Sequence, residues 1–274
     1  MRTLRFIFNF YLNASIHVAL AVISLLGVTS LVLEIPLNLS LFGFVFFGTI
    51  VCYNFVKYGV EAKKYLVVMN AYHKNIQALS FFCFGLAVYF LIHLDRKIWV
   101  AVLGLGLISC LYAIPLLPKT KNLRSLGGFK IYIVALVWVG FTVLLPVLDN
   151  ELDISWDLKI LFLQRFILVV ALILPFEIRD LQWDDPEIKT LPQIFGIYKT
   201  RMLGVILMVV FFLLTFLKDN LIGVEISMRL LVSVLLIIVF LQRDRVPRKY
   251  FASFWVEGIP ILWFGIYWSL KNLY

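Results

Sequence analysis

Ile160-Leu-Phe-Leu-Gln-Arg-Phe-Ile-Leu-Val-Val-Ala-Leu-Ile-Leu-Pro-Phe176 runs without a break into Glu177-Ile-Arg-Asp180-Leu-Gln-Trp-Asp184. The first part reads as a membrane-spanning helix. The second places three carboxylates at i, i+3 and i+7, within roughly 60° of one another on one helical face. A helix C-terminus carries partial negative charge, so three acids there need a positive partner. Glu177 directly follows Leu174-Pro175-Phe176, so it lies at membrane depth, where ionisable groups are expensive and usually functional. A divalent metal is the best candidate partner. Carboxylate oxygens suit magnesium, which takes one or two of them together with water and substrate phosphates. The alternative is a solvated helix end whose acids pair with Arg179 and nearby lysines.

The rest of the chain has the same character. Hydrophobic residues make up 62% of its 274 residues and charged residues 15%, with a mean hydropathy of +0.97. A water-soluble domain of this size is excluded. Apolar segments near the length of a membrane crossing recur at 10–33, 37–56, 76–94, 98–117, 129–148, 160–176, 202–217, 224–241 and 251–270. The expected fold is therefore all-α: a polytopic membrane helix bundle of about nine transmembrane helices around a central cavity, with residues 1–274 forming a single integral membrane domain. The first apolar run is too long for a signal-peptide core and has no small-residue cleavage pattern, so it reads as a retained span. Cys52, Cys83 and Cys110 all fall inside predicted spans, and their odd number argues against a disulfide framework.

Charge sets the expected orientation. The N-terminus and the loops after even-numbered spans carry eighteen basic residues, and the other side carries five. The positive-inside rule then places the N-terminus and the polar loops in the cytoplasm and the C-terminus on the opposite side; the expected location is a bacterial inner membrane. The net charge of +9 follows from this topology and from contact with anionic membrane lipid. Nucleic acid is not an expected partner, because spans divide the basic residues among separate loops.

The dense polar clusters all fall on that cytoplasmic side. Besides the acidic helix end there is Tyr112-Ala-Ile-Pro-Leu-Leu-Pro-Lys119-Thr-Lys121-Asn-Leu-Arg124-Ser-Leu-Gly-Gly-Phe-Lys130, whose four cations suit a diphosphate and its departure. A third cluster begins at Asn54 and Lys57, neighbours on a helix face, and continues through Glu61, Lys63 and Lys64. An interhelical hydrogen bond explains Asn54 almost as well as a ligand role does. Asn13, His17, Arg165, Glu225 and Arg229 read as residues toward the opposite leaflet, and Glu257 as one facing the cavity from the cytoplasmic half of the last span.

Together these residues resemble the UbiA-type intramembrane prenyltransferases. Glu177-Ile-Arg-Asp180-Leu-Gln-Trp-Asp184, followed by Ile188-Lys189-Thr190-Leu191-Pro192 and Gly196, is similar to that family's second aspartate-rich motif, with Glu177 in place of the first aspartate. The segment from Leu111 to Pro115 with Lys119, Lys121 and Arg124 looks like its Tyr/Lys loop, at looser spacing. The resemblance implies transfer of a prenyl group from a polyprenyl diphosphate to an aromatic or lipid acceptor, with Mg2+ on the diphosphate. It implies Glu177, Asp180 and Asp184 as metal ligands, Asp180, Asp184 and Lys119 in catalysis, and Asn54, Lys57, Tyr112, Lys121, Arg124 and Lys189 on the diphosphate.

One motif departs. Where the family's first aspartate-rich motif reads N-D-x-x-D-x-x-x-D, this chain has Asn54 but Phe55, Tyr58 and Ala62 at the aspartate positions, with Lys57 added. A lysine can neutralise a diphosphate charge that a metal otherwise would. The second reading is accordingly a catalytically altered or inactive relative that binds an isoprenoid lipid or a partner membrane enzyme. A third, a small transporter, fits less well, because the chain shows no internal repeat and its polar clusters lie at one side.

Overall fold

The computed structural model describes residues 2–58, 71–113, 128, 130–184, 189–242 and 250–273. Every regular element among the described residues is helical: α1 (Arg2–Asn13), α2 (Ile16–Leu33), α3 (Leu39–Tyr58), α4 (Ala71–Ile92), α5 (Arg96–Ala113), α6 (Lys130–Val139), α7 (Leu145–Asp149), α8 (Trp156–Asp180), α9 (Leu191–Leu213), α10 (Gly223–Leu241) and α11 (Ile259–Leu273). A π-helical turn, Gly140–Leu144, joins α6 to α7, and a second, Phe251–Val256, precedes α11. Seven segments are long and apolar enough to cross a membrane, as an integral membrane protein requires. Two of the nine expected spans fall outside that set. The described part of one is α5, and the other is divided between the second π turn and the 15-residue α11.

Burial separates the interior helices from the outer ones. The apolar windows of α2 and α8 are 72% and 67% buried, while that of α4 is 17% buried. A helix apolar on all sides belongs either in a core or against lipid, and α4 turns Phe81, Phe82, Phe84, Tyr89 and Ile92 outward. α2 packs against α3 and α11, and α8 against α6 and α9. Close approach is set by glycine at the α2–α11 seam and at the seam of α9 with α10. A Cβ at Gly27 would fall 2.4 Å from the Phe264 ring, and one at Gly204 2.4 Å from the Phe240 ring.

The first expected span is two helices. α1 ends at Asn13, and Ser15 takes a left-handed conformation (φ 61) before α2 begins. Hydropathy does not register this corner because the residues on both sides are apolar. Polar contacts hold it: the Lys57 ammonium donates to the Ser15 hydroxyl at 3.0 Å and to the Leu12 carbonyl at 3.4 Å. The Asn13 amide donates to the Tyr72 hydroxyl at 2.8 Å. Asn13 and His17 therefore lie at the same end of the bundle as Lys57, and not toward the opposite leaflet as the unbroken span implied.

Two local devices shape the segment around the acids. Pro175 interrupts the hydrogen-bond ladder inside α8, since it has no N–H to give the Ala171 carbonyl. Past the acids, the Thr190 N–H donates to Gln193 Oε1 at 2.8 Å and starts α9. Gly196 (φ 79) then breaks the helical path, a conformation that favours glycine.

Candidate functional site

Each of the three acids is engaged by a cation of the chain itself. Lys130, the first residue of α6, places its ammonium 2.7 Å from Glu177 Oε1 and 3.4 Å from Asp184 Oδ2. Arg179 grips its neighbour Asp180 with both prongs, Nε to Oδ1 at 2.7 Å and Nη2 to Oδ2 at 2.9 Å. The Arg179 guanidinium also lies 5.0 Å from the centre of the Phe176 ring. A charged, bidentate pair of this kind is geometrically specific. The ion-pair alternative thus describes these side chains as they stand.

The donor set nevertheless suits a cation. Glu177, in the last turn of α8, and Asp184, past its end, meet at one positive group, and Glu177 is 4% exposed. Its second oxygen, Oε2, is buried without a hydrogen-bond partner. Two carboxylates with substrate phosphates are enough for magnesium. Among the described residues, however, no three His, Cys, Asp or Glu side chains are grouped to hold a metal. Lys130 stands between the two carboxylates that do converge, so a metal has to displace its ammonium.

Beside this cluster is a cavity of about 470 Å³. Tyr53 and Lys57 reach it from α3, Phe176 and Arg179 from α8, Asn9 and Asn13 from α1, and Ser253 and Glu257 from the π turn and its end. Lys57 and Arg179 both act electrostatically on Glu257. The Tyr53 hydroxyl accepts from the Trp138 indole at 2.8 Å, and the Tyr250 hydroxyl donates to Asn9 Oδ1 at 2.8 Å. The cavity is therefore polar at the level of Glu257, with α1 forming one of its walls.

The π turn that carries Glu257 is held from α2. His17 Nε2–H donates to the Phe254 carbonyl at 3.0 Å, which leaves Nδ1 to accept from the Tyr11 hydroxyl at 2.6 Å. The same carbonyl accepts from the Gly258 N–H at 2.9 Å. A Cβ at Gly258 would sit 2.7 Å from that carbonyl oxygen, and backbone yields less readily than a side chain. Gly258→Ala is expected to destabilise the protein by about 1–3 kcal/mol, the usual range for overpacking, read as an unfolding midpoint in detergent. An unchanged midpoint contradicts the tight turn.

The predicted site residues divide into three groups. Lys57 joins the cavity, and Glu177, Asp180 and Asp184 gather beside it with Arg179. Asn54 does not line it: it is buried between α3 and α4, where its amide donates to the Ser80 hydroxyl at 2.9 Å. Tyr112, near the end of α5, interacts electrostatically with Lys130 and Tyr53. Lys189 is exposed, in a left-handed conformation (φ 50) ahead of α9. Lys119, Lys121 and Arg124 lie outside the described residues, as do Glu61, Lys63 and Lys64. Sequence reasoning missed Lys130 as the direct partner of Glu177. The sequence placed it instead at the end of the cation cluster that begins at Tyr112, and nothing in that cluster pointed to Glu177. In comparisons with known proteins, no family model matches the chain, and no curated protein and no solved structure matches it.

Proposed function

We propose that the chain is a UbiA-like prenyltransferase that crosses the membrane nine times, with its N-terminus and polar cavity at the cytoplasmic face, and that it moves a prenyl group from a polyprenyl diphosphate to an aromatic or lipid acceptor. One observation carries this reading. Lys57, in the segment that resembles the first family motif, and Phe176 with Arg179, beside the second, line the same cavity. Lysine and guanidinium charge there attracts the diphosphate and favours its departure. The carbon–oxygen bond to the prenyl carbon breaks and its electron pair leaves with the diphosphate. The acceptor then bonds to the allylic carbon and releases a proton. Magnesium, when bound at Glu177 and Asp184 with Asp180 nearby, supplies further Lewis-acid charge on the leaving group. The apolar helices around the cavity keep water from the cationic carbon.

The second reading, a relative that binds an isoprenoid lipid without turning it over, is favoured by the Lys130 ammonium held between Glu177 and Asp184. One experiment separates the two. Purified protein is mixed with a radiolabelled prenyl diphosphate, with and without magnesium, and with a panel of phenolic and lipid-alcohol acceptors. Saturable binding with release of diphosphate supports the transferase. Binding without release supports the second reading. No binding under either metal condition, or equal binding by a Lys57→Met, Arg179→Met double variant, overturns both.

A further inference from the structure

The opposite half of the bundle holds a second buried charge cluster that the cavity does not use. Glu225, at the start of α10, shares its Oε1 between Lys218 (2.6 Å) and Arg229 one turn on. The side chains of Glu225 and Arg229 are 2% and 1% exposed, and that of Lys218 is 6% exposed. Arg165 of α8, also 1% exposed, donates to the Leu25 carbonyl at 2.7 Å and the Thr29 hydroxyl at 3.0 Å, and pairs with no carboxylate among the described residues. Its guanidinium lies over the Trp263 ring of α11 at 5.9 Å, and it feels the charge of Arg229. Asp157 acts on Arg229 as well, but its two oxygens accept the backbone N–H groups of Asp219 and Asn220 at 2.7 and 3.2 Å.

Two observations point the same way. Among the described residues three cations face two carboxylates, which leaves one uncompensated positive charge in a setting where such charge is expensive. The helices that carry these charges also hold unspent hydrogen-bond donors. Arg229 Nε and Nη2, Trp263 Nε1–H and the Ser233 hydroxyl are all buried without a partner. Buried donors are nearly always satisfied, by protein, water or an ion. At 1.5 Å per residue, Arg229 and Ser233 sit about 9 and 15 Å inside α10, too deep for a lipid head group in a hydrocarbon layer about 30 Å thick.

We propose that Arg165, Arg229, Ser233 and Trp263 form a binding site for a compact monovalent anion of the chloride class. A single negative charge cancels the excess, whereas a divalent oxyanion overshoots it. An anion also accepts from several N–H and O–H groups at once, which is what these four side chains offer. The site ties α8, α10 and α11 together around a shared charge, and it is independent of the diphosphate cavity.

The test uses the full purified chain in detergent, with chloride replaced stepwise by gluconate at constant ionic strength. Chloride is expected to raise the unfolding temperature saturably, as a ligand specific for the folded state does, with bromide substituting and sulfate not. Trp263→Phe and Ser233→Ala each remove a donor without changing charge. Each is expected to shift the chloride midpoint upward by about tenfold or more. Crystals grown in bromide are expected to show an anomalous peak beside Arg229 Nε. No difference between chloride and gluconate, the same midpoint in parent and variants, or waters in place of bromide overturns the site.

Discussion

Lys130→Met is expected to destabilise the bundle by about 3–5 kcal/mol, the usual consequence of removing one partner of a buried ion pair. The side chains of Lys130 and Glu177 are only 14% and 4% exposed. Glu177 Oε2 already lacks a hydrogen-bond partner, so among the described residues the lysine is what compensates its carboxylate. Methionine keeps the length of the chain and removes the charge. Glu177 is then a bare carboxylate among apolar helices, and Asp184 loses the same ammonium. The double variant Lys130→Met, Glu177→Met is expected to recover most of the loss, because an apolar pair of similar volume needs no compensation. Unfolding in a mixed-micelle titration reads both. Equal stability of parent and Lys130→Met, or additive loss in the double variant, removes the ion pair as the support of this helix end.

Under the proposed function, Asp180→Asn and Asp184→Asn are expected to lower prenyl transfer by about 100-fold or more each, the scale seen when one electrostatic group at a reacting centre is lost, and to change stability much less. The two positions differ in a way that makes the comparison informative. Asp180 holds Arg179 bidentately, and Arg179 faces the cavity. Its amide variant therefore frees the guanidinium to turn toward Glu257. Asp184 is a partner of Lys130, and its amide variant leaves Lys130 to Glu177 alone. If magnesium takes the place of Lys130 during turnover, Asp184→Asn raises the magnesium needed for half-maximal rate, while Asp180→Asn lowers the maximal rate. Unchanged rates in both remove these acids from the site.

Much of the architecture is legible from composition and spacing alone. Apolar runs of membrane length can satisfy their backbone groups only as helices, so helical class and membrane character follow directly. The corner at Asn13 to Ser15 is not legible this way. It depends on an ammonium from α3 meeting a carbonyl and a hydroxyl forty-odd residues earlier. The division of the last span at Gly258 is hidden for the same reason, since its π turn is held by His17 from the far end of the chain. Asn54 shows an ambiguity that only packing resolves. Its sequence position suits an interhelical hydrogen bond almost as well as a ligand role, and its amide donates to Ser80 of the neighbouring helix.

The chemistry divides along the same line. That three carboxylates at i, i+3 and i+7 require positive charge is a property of the helix and its dipole, and the string of residues from Glu177 to Asp184 is sufficient to say so. Which positive charge they meet depends on helix packing. Lys130 is separated from Glu177 by an entire hairpin of helices, and it reaches that carboxylate because α6 packs on α8. The cluster of Arg165, Glu225 and Arg229 is similar: each is visible as a polar residue in an apolar run, but the excess charge and the unspent donors exist only once α8, α10 and α11 enclose them. Local periodicity sets which face a residue occupies. Only packing sets what stands opposite that face, and in a medium without water the opposite group decides whether a buried charge is tolerated.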